Sequence, residues 1–268
     1  MILFPNAKIN LGLHVLSKRV DNFHNLETLM QPIGLCDILE FLPSREKETV
    51  FKISGIPVSG TMEENLVYKA YMLLKEKYQL PVLRIHLHKI IPSGAGLGGG
   101  SSDAAFMLKG LNQMFGLQLS QEELQDYAAV LGSDCSFFIN NLPALASGKG
   151  EILATAQDYI AGHKLLLFFP GFHVSTAEAY QGVVPDKDKK SLKIILESGI
   201  QNWKKELVND FEKSVFEKCP IIGDMKEKLY DSGAVYASMS GSGSSVYGLF
   251  EKDFLIPDDL RRHLLFES

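Results

Sequence analysis

The chain opens on an alternation. Across Ala7–Leu16, Ile9, Leu11, Leu13 and Val15 fall on one side of an extended segment, and Lys8, Asn10, Gly12 and His14 on the other. Strand side chains repeat every second residue, so this spacing predicts a half-buried strand whose wet face carries Lys8, Asn10 and His14 together. After the loop 19–25 comes a second apolar segment, Leu26–Pro32, and Ile38–Leu42 and Val50–Ile53 read as short strands. The period then changes. In Asn65–Tyr78, Leu66, Ala70, Leu73 and Leu74 recur at helical spacing, and Asn65 suits the cap. Val82–Ile91 alternates again, with Leu83, Ile85 and Leu87 set against Arg84, His86 and His88. His86 and His88 have no third metal ligand near them in sequence and read as a solvated sheet face.

The second half is broken into shorter pieces. Ala104–Phe115 predicts a helix stopped by Gly116, and Ser120 with Glu123 forms a capping box for another that ends at Gly132. Lys164–Phe169 reads as a strand, Ser175–Gln181 as a short helix, and Pro185–Lys190 as a charged linker. Asp224–Tyr230 is helical, and Tyr236–Phe250 reads as strand, Gly/Ser turn, strand. The pattern restarts at Ala154–Ala161, which places one division near residue 156 and gives domains 1–156 and 157–268.

Composition narrows the class. The 268 residues are 46% hydrophobic and 22% charged, the balance of a globular protein with a sizeable core. The net charge of −5 argues against a nucleic-acid surface but leaves room for anionic small molecules, which answer to a local field. Cys36, Cys135 and Cys219 have neither metal-ligand spacing nor the look of a disulfide framework, which suits a reducing compartment. No signal-peptide pattern and no run of about 18 apolar residues is present, so the expected location is cytoplasmic, without membrane attachment.

The strongest chemical signal lies between the predicted strand at 82–91 and the helix that follows. Five of the seven residues from Gly94 to Gly100 are glycine, and Ser101, Ser102 and Asp103 come next. Glycines let a backbone close on an anion, and the first N–H groups of a helix are unpaired and lie at the positive end of its dipole. The segment therefore predicts a phosphate cradle, with serine hydroxyls available to phosphate or Mg²⁺. It is not a Walker A loop, because Gly99-Gly100-Ser101-Ser102 lacks the lysine. Gly94, Gly96 and Gly99 formally satisfy a dinucleotide fingerprint, but the acid some 20 residues on, Glu122, falls inside a helix. A dinucleotide oxidoreductase stays open as the alternative, as does a nucleotide sensor without catalysis. Asp134, among Leu131, Phe137, Phe138 and Ile139, is a partly buried acid read equally well as a cap or as a general base.

PSGAGLGGGSSDAA at 92–105 resembles the phosphate-binding signature of the GHMP kinases, named for galactokinase, homoserine kinase, mevalonate kinase and phosphomevalonate kinase. The N-terminal NAKINLGLHVLSKRVDNFHNLETLM, LGSDCSFFI, SGKGE at 147–151 and SMSGSGSSVYGLF follow the order of one branch of that family, over nearly the whole chain. The resemblance implies an α+β, two-domain fold. Its N-terminal α/β domain is of the ribosomal-protein-S5-like type with a left-handed β-α-β unit. Its C-terminal domain is ferredoxin-like, and the two meet at a cleft. It implies ATP and Mg²⁺, and a small-molecule acceptor bearing a cytidine diphosphate group; acceptors of the mevalonate or homoserine type are the alternative. It implies that Lys8 and Asp134 are the catalytic pair, that Pro92, Ser93, Gly94, Ala95, Gly96, Leu97, Gly98, Gly99, Gly100, Ser101 and Ser102 wrap the ATP phosphates, and that Asn65 borders the adenine. Asn10, Phe23, His24, Tyr180, Gly241, Ser242, Gly243 and Ser244 fall on the acceptor side, and Mg²⁺ rests on the ATP phosphates with Ser102 as its candidate protein ligand. No nucleic acid or membrane partner is implied, and the assembly is a monomer or homodimer. Two departures stand out. Phe23 replaces the family's usual Tyr, and Gly132-Ser133-Asp134-Cys135-Ser136 replaces Gly-Ala-Asp-Val-Pro.

Overall fold

The computed structural model describes residues 1–268. In chain order it contains β1 (Ile2–Leu3), β2 (Asn6–Lys18), β3 (His24–Cys36), β4 (Ile38–Pro43), β5 (Val50–Gly55), α1 (Leu66–Tyr78), β6 (Leu83–Lys89), α2 (Gly99–Phe115), α3 (Gln121–Leu131) and α4 (Cys135–Asn140). There follow β7 (Ala144–Ser147), β8 (Ile152–Thr155), β9 (His163–Phe168), α5 (Thr176–Tyr180), several short helices including Glu212–Lys218 and Pro220–Asp231, then β10 (Tyr236–Met239), β11 (Val246–Glu251) and β12 (Leu264–Glu267). No helix is long and apolar enough to cross a membrane.

The chain separates into two compact units that do not follow a single cut in the sequence. Unit 1 holds 1–8, 32–93 and 98–142, and unit 2 holds 9–31, 94–97 and 143–268. The long strands β2 and β3 and the glycine segment contribute residues to both.

In unit 1 the sheet order is β1-β4-β6-β5, antiparallel except for the parallel β5–β6 pair. Leu83, Ile85 and Leu87 are buried, whereas Arg84 and His86 are exposed, as the period of two requires. Helices α1 and α2 pack together, and Val67, Ala70, Tyr71 and Leu74 of α1 are buried, as are Met107, Leu108 and Leu111 of α2. Asn65 caps α1 by accepting from the Val67 N–H at 2.9 Å. Ser120 and Glu123 close the expected capping box on α3.

Unit 2 carries two sheets. One is antiparallel, in the order β10-β11-β9-β12, with the helix Pro220–Asp231 packed on β10 and β11. The other has the order β2-β3-β7-β8, with β7 and β8 forming a hairpin. Leu13 and Val15 of β2 join Leu166, Phe168, Phe211, Ile222, Met239 and Phe250 in one apolar cluster.

Two expectations change. Strand β2 has no wet face, because Asn10 and His14 are as deeply buried as Ile9 and Leu11, and only its last residues emerge. Alternation predicts which residues share a side, but whether that side meets water depends on what covers it. Helix α2 begins at Gly99, not Ala104, since Gly98 in the left-handed region (φ 69°) starts the helix and Ser102 N–H already bonds to Gly98 carbonyl at 2.9 Å.

Candidate active site

In unit 1, Lys8 stands at the start of β2 and Asp134 at the N-terminal end of α4, which the sequence pattern did not reveal. Lys8 Nζ lies 3.6 Å from Asp134 Oδ2, with Lys8 buried and Asp134 half-buried. Several contacts fix this approach. Asn141, at the left-handed end of α4 (φ 54°), donates to Asn6 Oδ1 at 2.7 Å and so ties the helix end to the strand start. Ser136 donates its hydroxyl to the Gln125 carbonyl of α3 at 3.1 Å, and Cys135 is fully buried. Those two residues therefore hold α4 where the family pattern has Val-Pro. Burial pushes the Cys135 thiol up to about 11, so it is a packing group rather than a thiolate nucleophile. Burial also lowers the Lys8 pKa below 10.5, and the Asp134 charge and hydrogen bond oppose that shift.

Gly98 packs into this corner. A Cβ there would come 2.9 Å from Phe138 and 3.2 Å from Lys8 Cε. The first turn of α2, Gly99 to Ser101, carries N–H groups that helix geometry leaves without intrahelical partners. Ser102 is completely buried, and its Oγ has no hydrogen-bond partner.

A pocket in unit 1 is lined by Asn65, Leu66, Leu87, Lys89, Ser93, Gly100 and Asp103 among others. Beneath it is a buried charge cluster: Lys89 Nζ bonds to Asp37 Oδ2 and, at 2.7 Å, to Asp103 Oδ2. Asp37 Oδ1 accepts the Ile90 and Ile91 N–H groups at 2.5 and 2.8 Å, which pins the chain entering the glycine segment. Sequence reasoning passed over this cluster, yet a signal was present. The buried side of β6 runs Leu83, Ile85, Leu87 and then Lys89, and a lysine on an apolar side needs anionic partners.

In unit 2, Gly96 is left-handed (φ 77°), and Ser240 donates to its carbonyl at 2.9 Å. The Asn10 N–H donates to Ser240 Oγ, Asn10 Nδ2 donates to Thr28 Oγ1 at 3.0 Å, and the Tyr247 hydroxyl donates to the Asn10 carbonyl at 2.8 Å. Asn209 Nδ2 donates to the Met239 and Gly241 carbonyls, both at 2.8 Å, shaping the 240–245 turn. Ser244 donates to the Phe172 carbonyl, and Ser242 faces Thr176 at 3.4 Å. Asn10, Gly241 and Gly243 thus lie in one buried polar network with Ser240, Thr28, Asn209 and Tyr247, of which Thr28, Asn209 and Tyr247 were not singled out from the sequence. His24 opens β3 and stacks on Tyr180 from α5, with ring centroids 4.6 Å apart at 16°. Phe23 is 57% exposed beside them in sequence. Burial, and then the Lys18 charge, lowers the His24 pKa below 6.5, which favours the uncharged ring.

The glycines of this segment are not interchangeable. A Cβ on Gly96 would sit 2.0 Å from the Ser240 carbonyl oxygen, and its φ is positive; a Cβ on Gly100 meets nothing closer than Leu66 at 3.9 Å. Gly96→Ala is expected to lower stability by about 1–3 kcal/mol or more, and Gly100→Ala to leave it unchanged or raise it by up to about 1 kcal/mol. Urea melts of the two variants check this; equal midpoints would contradict it.

A helix start with unpaired N–H groups beside a lysine–carboxylate pair is an arrangement suited to phosphoryl transfer. The model of the GHMP kinases N terminal domain matches residues 65–146, and that of the GHMP kinases C terminal matches 186–261. The chain belongs to the GHMP kinase family. It is 52% identical over 260 residues to 4-diphosphocytidyl-2-C-methyl-D-erythritol kinase of Bacteroides thetaiotaomicron, covering 96% of this chain and 95% of the relative. It is 55% identical over 251 residues to the enzyme of the same name from Cytophaga hutchinsonii, covering 93% and 92%. Among solved structures, a crystal structure of 4-(cytidine 5′-diphospho)-2C-methyl-D-erythritol kinase superposes with a TM-score of 0.79 at 34% identity, covering 93% of this chain and 90% of that one. The dinucleotide reading falls with these findings, and Glu122 sits in the first turn of α3.

Proposed function

We propose that this chain transfers the γ-phosphate of ATP to the 2-hydroxyl of 4-diphosphocytidyl-2-C-methyl-D-erythritol, a step of the non-mevalonate isoprenoid pathway, in the cytoplasm. The substrate assignment rests on relatives of that name more than half identical over nine-tenths of the chain. The observation that carries the chemistry is the Lys8–Asp134 pair, 3.6 Å apart in unit 1, beside Gly98 at the head of α2.

Phosphoryl transfer asks for positioning and charge stabilisation rather than covalent catalysis. Asp134 accepts or orients the proton of the attacking hydroxyl. Lys8 pairs with Asp134 and faces the negative charge that develops during transfer. The backbone of 92–102 holds the phosphates, and Asn65 with its pocket borders the adenine. Asn10, Gly241, Ser242, Gly243 and Ser244 position the acceptor, and Phe23, His24 and Tyr180 address its cytosine. Ser102 Oγ, a buried hydroxyl without a partner, fits a Mg²⁺ or phosphate oxygen. Mg²⁺, when bound with ATP, neutralises phosphate charge. The family domains divide at 1–156 and 157–268 in this reading.

An assay coupling ADP release to the cytidine substrate tests the proposal, and transfer only to mevalonate or homoserine would defeat it. The pH profile adds a second check. The pair works with Lys8 as an ammonium, and burial depresses its pKa, so turnover is expected to fall as pH rises through a value below 10.5. A rate that stays flat through pH 10.5 would contradict the role of the ammonium.

A further inference from the structure

The loop between β9 and α5 lays a histidine on the glycine segment. Gly94 is left-handed (φ 63°), and a Cβ built there would fall on the Nδ1–Cε1 edge of the His173 imidazole. The ring thus occupies the space that a side chain at 94 would fill. This close approach, together with the backbone angle, requires glycine at that position. Both residues belong to unit 2. The loop is tied down on either side of the histidine. Ser244 donates to the Phe172 carbonyl, and Thr176 faces Ser242 at 3.4 Å, so the residues flanking His173 are joined to the 240–245 turn. His173 itself is exposed. Glu178, on α5, accepts from the Ser175 N–H at 3.0 Å and from its hydroxyl, so that carboxylate is engaged within the helix cap rather than with the imidazole.

We propose that His173 is a phosphate ligand of the acceptor site, donating from Nε2 to the diphosphate that joins the cytidine to the methylerythritol. This rests on the reading that unit 2 holds that acceptor, with its cytosine at Phe23, His24 and Tyr180. Gly94 abuts the Nδ1 edge of the ring, so Nε2 is the nitrogen left to meet a ligand. An imidazole with its proton at that atom donates whether neutral or charged, and hydrogen bonds to an ionised phosphate are among the stronger ones. The spacing suits the ligand. Thr176 opens α5, and Tyr180, stacked on His24, closes it; the rise between them is about 6 Å. A base held at Tyr180 therefore has its phosphates, one ribose away, toward the His173 end of the helix. The ATP phosphates are the other source of the same chemistry, because Gly94 also begins their cradle. The acceptor is favoured because His173 is joined through Phe172 and Thr176 to the turn that positions it.

The test compares wild type, His173→Ala and His173→Gln in the coupled assay, and measures inhibition by CDP and by cytidine. His173→Ala is expected to raise KM for the cytidine substrate by about tenfold, the scale of a lost hydrogen bond to a charged group. Its kcat and its KM for ATP should stay within about twofold. Inhibition by CDP should weaken by a similar factor, while inhibition by cytidine, which has no phosphate, stays unchanged. His173→Gln, still a donor, should recover part of the KM. An unchanged acceptor KM with unchanged CDP inhibition would overturn the proposal. A rise in the ATP KM alone would also overturn it, because the ring would then be reading the nucleotide's phosphates. So would an equal loss for CDP and cytidine, which would make the histidine a support for the base site and not a phosphate ligand. A wild-type enzyme that is not inhibited by CDP and does not phosphorylate the cytidine substrate would instead remove the underlying acceptor reading, and this inference with it.

Discussion

Asp134→Ala is expected to bind ATP as wild type does and to lose about 10²–10⁴-fold in kcat, the range for removing a general base. The two effects separate because the pocket proposed for the nucleotide is lined by Asn65, Lys89, Gly100 and Asp103 among others, and not by Asp134. The substitution leaves α4 anchored, since Asn141 still bonds to Asn6 and Ser136 to Gln125. A folded protein by circular dichroism is therefore expected alongside the lost turnover. Lys8→Met should cost a similar factor, and the double variant little more than either single one, because two groups acting on one proton transfer are not additive. Nucleotide titration and single-turnover kinetics make the measurement. Undiminished turnover in Asp134→Ala would remove the base from the mechanism.

Lys89→Met is expected to cost about 3–5 kcal/mol of stability, the scale for deleting one member of a buried ion pair. That is a large share of the 5–15 kcal/mol by which domains are usually stable. The cause is what remains behind. Asp37 and Asp103 are both buried, and without the ammonium their carboxylates share one cavity. Asp103→Asn is the informative control, because Lys89 keeps Asp37 as a partner. Burial pushes the Asp103 carboxyl up from 3.8 to about 7; Lys89 opposes this and Asp37 adds to it. The folded state therefore keeps a proton that the unfolded chain has released, and stability from this group falls as pH climbs from about 4 to 7. Asp103→Asn should flatten that slope in urea melts between pH 4 and 7. A wild-type slope in the variant would assign the titration elsewhere. Lys89 and Asp103 also line the pocket proposed for the nucleotide, so the ATP KM should rise in Lys89→Met even where it stays folded.

Much of unit 1 is legible from local pattern. The Asn65 cap, the Ser120–Glu123 box and the alternation of β6 are written within a few consecutive residues, and the structure reproduces them. The start of α2 was misread because glycine is a poor helix former and propensity pointed to Ala104. Its backbone nevertheless turns helical at Gly99, because Gly98 adopts the left-handed entry that a side chain resists. Helix α4 was missed because CSFFIN is too short to display a period. The wet face assigned to β2 was misjudged because its cover, including Ser240 and Tyr247, comes from more than 200 residues further on.

The amino-acid sequence alone determined the kind of chemistry: a glycine run before a helix, an ammonium on a strand, a carboxylate after a helix, and the family they resemble. Those features depend on neighbours in the chain, whose geometry is set by local backbone preference. The tertiary structure alone decided that Lys8 meets Asp134, that Lys89 bridges Asp37 and Asp103, and that His24 stacks on Tyr180. Such pairings join residues distant in the chain. They are set by burial, because a charge or ring withdrawn from water settles where a complementary group has been folded into reach.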